Sequence, residues 1–180
     1  TLPHEMFKAK GKVIDFKIGK PIPFDAYNLP NVSRKERVKL LRKHLYKVSK
    51  NHKPVFATYN EISVAEGRSE LKSELKNGIL LGQTTDGKSI ILYESQRENC
   101  VIKEIGRLRE ISFRHVGEGS GKKRDIDEYD FYYKHLVIWD DEALEIAGAY
   151  RLGVCSEIIE DFEVSGLYTS TLFRFDEKFE

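Results

Sequence analysis

The chain has 180 residues, of which 40% are hydrophobic and 33% are charged, and its formal net charge is +1. These values are typical of one globular domain, or of one domain and a piece of another. No apolar run approaches the ~20 residues that cross a bilayer, and the first residues lack the charged-then-apolar order of a signal peptide. Cys100 and Cys155 match no metal or redox spacing, which predicts reduced thiols in a cytoplasmic protein.

The small net charge hides an asymmetry between the front of the chain and the rest. Residues 1–53 carry 14 Lys or Arg and 4 Asp or Glu, whereas residues 54–180 carry 16 and 25. A basic front attracts anions such as phospholipid head groups, nucleic acid or an acidic carrier protein. The alternative, equally open at this point, is a solvated basic face that pairs with the acidic part of the same chain.

The front of the chain predicts a strand followed by a helix. Residues 12–19 alternate apolar and polar side chains, which is typical of a half-buried strand. Ser33 followed by Glu36 has the spacing of a capping box, so we expect a basic amphipathic helix from residue 34 to about 48. Four apolar residues recur in it at helical spacing: Val38, Leu41, Leu45 and Val48.

The next stretch predicts two helices separated by a hairpin. A short helix is expected over residues 68–76, and two strands at residues 79–81 and 89–93 flank an Asp-Gly turn. A longer helix follows at about residues 101–116, and the glycines of residues 117–121 end it.

The last third of the chain predicts a second hairpin. An acidic loop at residues 125–130 leads to a strand at 133–139, and a short polar turn joins this strand to another at 146–152. The tail is less regular, and residues 167–175 are expected to be extended. The elements together predict an α+β fold.

Two motifs suggest chemistry that their context does not support. Residues 117–122 resemble a phosphate-binding loop, but the required spacing is absent and Lys123 stands where Ser or Thr should hold magnesium. His135 and Asp140 have the spacing of an acyltransferase dyad, but an odd separation along a strand points side chains to opposite faces. No cluster of histidines and cysteines suggests a metal, so we expect none.

A better candidate site is spread over residues 107–151. Arginines of the long helix, aspartates of the acidic loop and an arginine at the end of the last strand could converge at one end of a small sheet. Such a set can hold a cationic substrate and take a proton from it; the alternative is a set of structural ion pairs that orients the loop. The residues concerned are Arg107, Arg109, Arg114, Asp127, Asp130 and Arg151.

Several segments of this region resemble a known family. They are residues 107–122 (RLREISFRHVGEGSGK), 125–130 (DIDEYD), 148–152 (GAYRL) and 166–174 (GLYTSTLFR), together with the pair His135-Leu136. They are similar to the bacterial hemolysin-like proteins that carry a GNAT-superfamily N-acyltransferase domain, which are relatives of the ornithine-lipid-forming acyltransferases and, more distantly, of the acyl-homoserine-lactone synthases. The resemblance covers roughly residues 70–176.

The resemblance implies a GNAT-like mixed sheet with flanking helices and acyl transfer from a thioester, carried by acyl carrier protein or coenzyme A, to an amine or lysolipid. Asp127 or Asp130 would bind the amine, and Arg109 and Arg151 would hold their loop or the acyl-donor end. The catalytic set is thus Asp127, Asp130 and Arg109, and the substrate-binding set is Arg151, Phe113 and Arg107. Phe113 would belong either to the core or to an acyl pocket.

The front of the chain resembles a different domain. Residues 11–22 (GKVIDFKIGKPI) are similar to the closing strand of a glycerolipid acyltransferase domain, which precedes the GNAT domain in some members of the family. We therefore expect residues 1–53 to be the end of that domain and residues 54–180 to be the first part of the GNAT-like one. Relative to the family the chain is truncated before the pantetheine-binding loop, which implies a fragment that is inactive alone.

Taken together, the sequence predicts part of an acyltransferase of membrane lipid metabolism, cytoplasmic and peripheral to the inner face of the membrane. The expected partners are acyl carrier protein and an anionic membrane surface, which a basic amphipathic helix suits; nucleic acid is not expected. The alternative is a non-catalytic segment that binds acyl carrier protein or anionic membrane. A membrane-lytic activity, suggested only by the family label, lacks a long apolar helix to support it.

Overall fold

The computed structural model describes Gly11, Val13 and residues 16–175, which form two compact units divided between Asn60 and Glu61. The predicted domain boundary after residue 53 falls in the non-helical stretch just before this division. The assignment of the two units to two acyltransferase domains stays a prediction.

The first unit contains a one-turn helix α1 (Phe24–Tyr27) and the longer helix α2 (Arg34–Ser49). The predicted capping box of α2 is confirmed: the Glu36 amide donates to Ser33 Oγ, and Glu36 accepts from the Ser33 amide at 3.0 Å. Such a cap satisfies two of the amides that an α-helix leaves free at its start. The helix buries His44, whose Nδ1 accepts from the Phe56 amide at 3.2 Å.

The predicted strand near the N-terminus is wrong where the structure describes it. Residues 16–20 have no strand pairing, and the side chains of Phe16 and Ile18 are 87% and 94% exposed. Alternation alone does not make a strand, because a strand is stabilised by a neighbouring ladder and a buried face. The rest of the predicted strand, at positions 12, 14 and 15, lies outside the described residues.

The second unit is built on a four-stranded sheet, and the predicted α+β class is confirmed. Its strands pair in sequence order, and every pairing among them is antiparallel. Both predicted hairpins are therefore confirmed. The strands are β1 (Ile79–Gln83), β2 (Ser89–Tyr93), β3 (Lys134–Asp140) and β4 (Glu145–Leu152).

Two helices cover one face of this sheet: α3 (Arg68–Leu75) and α4 (Cys100–His115), both at the predicted places. Along β3, every second residue is buried, so His135, Val137 and Trp139 point into the core beneath the helices. This alternation puts Asp140 on the other side of the strand from His135 and confirms that the two do not form a dyad.

A close approach fixes the loop that follows α4. A Cβ on Gly106 would lie 2.4 Å from the Ile126 side chain and 3.0 Å from the carbonyl oxygen of Asp125, so only glycine leaves room for the loop at this point. The Asp125 amide donates to the Gly106 carbonyl at 2.9 Å. The acidic loop is thereby held against the middle of α4.

The prediction that residues 167–175 are extended is wrong over Tyr168–Thr171, which form a helical turn. Helix α5 (Cys155–Phe162) is followed by 3₁₀ turns at Val164–Gly166 and Tyr168–Thr171. The Tyr133 hydroxyl accepts from the Tyr168 amide at 2.7 Å, a tertiary contact that a strand pattern in the sequence does not reveal. Within the described residues, no helix is long and apolar enough to span a membrane.

Candidate active site

An open cavity of about 660 Å³ lies beside α4, β4 and the acidic loop. It combines apolar walls with several charged side chains, which is the composition expected of a binding site for a small polar molecule with an apolar portion. The residues that line it include Arg109, Ser112, Phe113, Asp125, Asp127, His135, Arg151 and Tyr168.

Arg109 of α4 holds the acidic loop in place. Its two terminal nitrogens donate to the two carboxylate oxygens of Asp130 at 2.8 and 3.1 Å, and one of them also donates to the Asp125 carbonyl at 3.1 Å. A bidentate pair of this kind fixes both distance and orientation. Asp130 is buried, with 1% of its surface exposed.

Arg151 at the end of β4 joins the same cluster from the sheet side. Its guanidinium donates to Asp127 at 2.5 Å and to Asp130 at 3.1 Å. It also lies over three aromatic rings at 5.3–5.7 Å, an arrangement that stabilises a cation. These rings belong to Tyr129, Tyr133 and Tyr168.

The three-residue spacing of Asp127 and Asp130 has a local structural reason. A 3₁₀ turn at Glu128–Phe131 begins after Asp127, and the Asp130 carboxylate accepts from the Asp127 amide at 3.0 Å. The two aspartates thus cap their own turn. Asp127 keeps more than a third of its side chain exposed, whereas Asp130 lies behind it.

The carboxylates of Asp125 and Asp130, which lie in the same loop, have pKa values shifted in opposite directions. Burial acts to raise the pKa of Asp130, but the hydrogen bonds from Arg109 and from the Asp127 amide outweigh it, so the pKa lies below its ordinary value. Burial raises the pKa of Asp125, which the nearby charge of Arg109 only partly offsets. Asp130 is therefore a fixed anion, and Asp125 is a stronger base.

His135 is part of this site, although sequence analysis set it aside. Its Nε2 lies 3.0 Å from the Asp130 carbonyl, so it donates there, and burial lowers the pKa of the ring. Its Nδ1 is buried and has no hydrogen-bond partner among the residues that the structure describes. The alternation of β3 predicts that His135 is buried, but only the tertiary structure reveals its contact with the acidic loop.

Of the two remaining predicted site residues, Phe113 lines the cavity and Arg107 does not. Phe113 lines the cavity and is 43% exposed, so it belongs to a pocket wall rather than to the core. Arg107 donates to Glu104 at 2.6 and 2.9 Å, and it is not among the described residues that line the cavity. The structure brings Arg109, Phe113 and Arg151 together around the cavity with the two aspartates, and Arg107 lies apart from them.

The glycine-rich loop is occupied by a carboxylate of the protein itself. Glu110, which is fully buried, accepts from the amides of Ser120 and Gly121, each at 2.9 Å. Arg114 donates to the same carboxylate at 2.6 Å. These amides cannot also bind a phosphate, which confirms that the resemblance to a phosphate-binding loop is not functional.

Metal ligands are a further possibility that the described part of the chain does not support. In that part, no three His, Cys, Asp or Glu side chains are grouped so that they could hold a metal ion. The charged groups of the cavity are instead arginines and aspartates, which suit a small charged organic molecule.

The acetyltransferase (GNAT) domain family matches residues 108–180, the segment that supplies all of these cavity residues. Over 126 residues the chain is 42% identical to a glycine N(alpha)-acyltransferase of Phocaeicola vulgatus and 39% identical to one of Bacteroides thetaiotaomicron. Both matches cover 66% of this chain, and the chain spans less than two fifths of the length of these relatives. No solved structure matches the chain significantly. The matched family is one of acetyltransferase domains and both relatives are named as N-acyltransferases, which agrees with the resemblance seen in the sequence.

Proposed function

We propose that this chain forms the amine-binding part of an N-acyltransferase that acylates the α-amine of glycine or a similarly small amino acid. The observation that carries the proposal is the position of Asp127. Within the segment that matches the GNAT domain, its carboxylate faces the cavity, about one third exposed, and is oriented by Arg151. The names of the two relatives support glycine as the acceptor.

The charges of the cavity suit the ammonium group of an amine acceptor. Asp127 can bind an ammonium group, because only one of its oxygens receives the Arg151 hydrogen bond. Asp125, Asp127 and Asp130 outnumber Arg109 and Arg151, so the charge of the cluster favours the cationic end of an amino acid. The Ala147–Ala149 stretch and Phe113 provide an apolar wall beside these charges, on which the acyl chain can lie.

The reaction that fits this site is aminolysis of a thioester. The bound ammonium loses a proton, the amine nitrogen attacks the thioester carbon, and the tetrahedral adduct collapses with loss of the thiolate. The protein has to hold the amine close to the thioester, which supplies much of the rate enhancement in such reactions. It also has to accept a proton.

We propose that the acyl donor is acyl coenzyme A or acyl carrier protein. We also propose that the protein acts in membrane lipid metabolism, as a relative of the hemolysin-like acyltransferases. Residues 1–53 would then be the end of a glycerolipid acyltransferase domain. Assays with the same long acyl chain on coenzyme A and on acyl carrier protein identify the donor. The acceptor site is the same in both reactions, so a difference in rate reports on the carrier.

We further propose that the first unit lies against the cytoplasmic face of an anionic membrane. Three apolar side chains of α2 are more than half exposed: Val38, Leu45 and Tyr46. Lys39 and Arg42 are exposed beside them. Apolar side chains among cations favour a bilayer surface, because the cations bind head groups and the apolar groups enter the interface. Binding of the chain to anionic vesicles, weakened by Leu45→Glu more than by Lys76→Glu, tests this orientation.

The catalytic proposal is tested by incubating the full-length protein with each long-chain thioester and a mixture of glycine, other amines and lysolipids. Mass spectrometry then identifies the acylated product. We expect acyl-glycine, strongly reduced by Arg109→Ala and Asp127→Asn but not by Glu128→Gln, an exposed neighbour in the same turn. Binding of carrier protein or vesicles without any turnover would instead support the non-catalytic alternative.

A further inference from the structure

The three aspartates of the acidic loop differ in what holds their carboxylates. Asp130 receives hydrogen bonds from Arg109, Arg151 and the Asp127 amide, and Asp127 receives one from Arg151. Asp125 lines the same cavity, and its carboxylate receives no hydrogen bond or ion pair from any residue that the structure describes.

The main chain of Asp125 is nevertheless fixed. Its amide donates to the Gly106 carbonyl at 2.9 Å, and its carbonyl accepts from Arg109 at 3.1 Å. The backbone is therefore held at both peptide groups while the side chain is left for the cavity. A rigid backbone with an unpaired acid is the arrangement that a proton acceptor needs, because a carboxylate already paired with arginine is a poor base.

We propose that Asp125 accepts the proton of the substrate ammonium, while Asp127 binds that ammonium and Asp130 positions the loop. This inference rests on the acyl transfer proposed above. It refines the prediction from sequence, which placed the amine on Asp127 or Asp130 and gave Asp125 no role.

The protons balance as follows. The ammonium R–NH₃⁺ gives one proton to the Asp125 carboxylate, which later releases it to solvent through the open cavity. The free amine forms a C–N bond to the thioester carbon, and the C–S bond then breaks. The second proton passes from the nitrogen of the tetrahedral adduct to the leaving sulfur, so the products are an amide, a thiol and one solvated proton.

The surroundings of Asp125 support a basic carboxylate. Burial raises its pKa, and the charges of Glu110, Asp127 and Asp130 act in the same direction, whereas Arg109 opposes them. A general base works best when its pKa lies closer to the working pH than that of an ordinary aspartate.

His135 is the competing base, but its free nitrogen is closed to the substrate. Nδ1 has almost no solvent-accessible surface, and Nε2 is committed to the Asp130 carbonyl. The structure therefore gives His135 a positioning role beneath the loop and leaves the proton to Asp125.

The test compares Asp125→Asn with Asp127→Asn and Glu128→Gln in the full-length protein, with pH profiles of kcat and kcat/KM for glycine. We expect Asp125→Asn to lower kcat at neutral pH by about 100-fold or more, with little change in KM. Its rate should recover as the pH rises toward the pKa of the substrate ammonium, because the deprotonated amine no longer needs a base. Asp127→Asn should instead raise KM for glycine, and Glu128→Gln should behave as wild type.

Three results would overturn this assignment. One is an Asp125→Asn enzyme that keeps its rate within a few-fold of wild type. Another is a loss that has the same pH profile as wild type, or that comes with a lower midpoint of urea unfolding, since removing an unpaired, partly buried charge should leave this midpoint unchanged or raise it. The third is His135→Asn removing the acidic limb of the profile while Asp125→Asn keeps it. A wild-type protein without turnover would refute acyl transfer itself, a failure distinct from these three.

Discussion

Helix α4 contributes to two clusters of carboxylates and arginines. They contain the same residue types but differ in whether a carboxylate is exposed. In the cluster of Glu110, a fully buried carboxylate accepts from Arg114 and from the amides of the glycine-rich loop. In the cluster of Asp127 and Asp130, the arginines leave one carboxylate a third exposed to a cavity. The first cluster is closed and holds a loop, whereas the second is open and can bind a ligand.

This comparison shows why the most ligand-like motif of the sequence is not the site. Glycines followed by lysine suggest an anion-binding loop, and the loop does bind an anion, namely Glu110. What separates a structural cluster from a functional one is whether every donor and acceptor is used internally. The following predictions test that distinction.

The largest effect is expected for Glu110→Ala. It leaves the Arg114 guanidinium and two loop amides without their buried acceptor, so the free energy of unfolding should fall by about 3–5 kcal/mol. Urea denaturation of the chain measures this fall, and Glu118→Ala, at an exposed position in the same loop, is the matched control. A loss below about 1 kcal/mol, the size of an exposed pair, would show that the cluster is not the closed structural one described.

Asp130→Asn should reduce the free energy of unfolding by about 2–3 kcal/mol, because it weakens charged hydrogen bonds to both Arg109 and Arg151. Asp127→Asn should cost less than about 1 kcal/mol, because its carboxylate is partly exposed. The same denaturation experiment compares the two variants. Equal losses would mean that both aspartates are structural and that the cavity cluster resembles the Glu110 cluster.

Gly106→Ala should cost about 1–3 kcal/mol by overpacking, because the added methyl group would meet Ile126 and the Asp125 carbonyl. Gly82→Ala, where a Cβ meets nothing within 4 Å, provides the control in β1. Faster amide exchange at residues 125–130 in the Gly106 variant would show that the contact holds the acidic loop. Unchanged exchange there would contradict this.

The smallest effect concerns pH. Burial lowers the pKa of His135 below its ordinary value of 6.5, so the unfolded chain takes up a proton at a higher pH than the folded one. The contribution of His135 to stability is therefore complete above pH 6.5 and is lost as the pH falls toward the lowered pKa. Unfolding midpoints measured between pH 7 and pH 5 should decline less in His135→Gln than in wild type. Equal declines of the midpoint in the two proteins would show that a group other than His135 takes up the proton.

The sequence predicts most elements of the second unit because their patterns are local. The turn residues of both hairpins and the glycines that follow α4 indicated the correct elements. The approach of Arg109 and Arg151 to one loop was anticipated through the family resemblance, and the structure shows these side chains in contact. Their catalytic and substrate-binding roles stay predictions.

The errors and omissions arise where tertiary contacts decide the outcome. Residues 167–175 look extended, but Tyr168 is fixed in a 3₁₀ turn by Tyr133, which lies far away in sequence. His135 looks like a failed dyad residue, because nothing local shows that its Nε2 lies within hydrogen-bonding distance of the Asp130 carbonyl. The unpaired state of Asp125 is equally invisible in a sequence that places three aspartates together.

The central claim is that the open cluster serves acyl transfer to an amine and the closed cluster serves stability. The most direct test is kcat/KM for glycine of Asp127→Asn in the full-length protein, measured together with its free energy of unfolding. We predict a loss of about tenfold or more in kcat/KM, which corresponds to about 1.4 kcal/mol of transition-state binding, at nearly unchanged stability. An Asp127→Asn enzyme with wild-type kcat/KM, or with activity lost only in proportion to stability, would contradict the account.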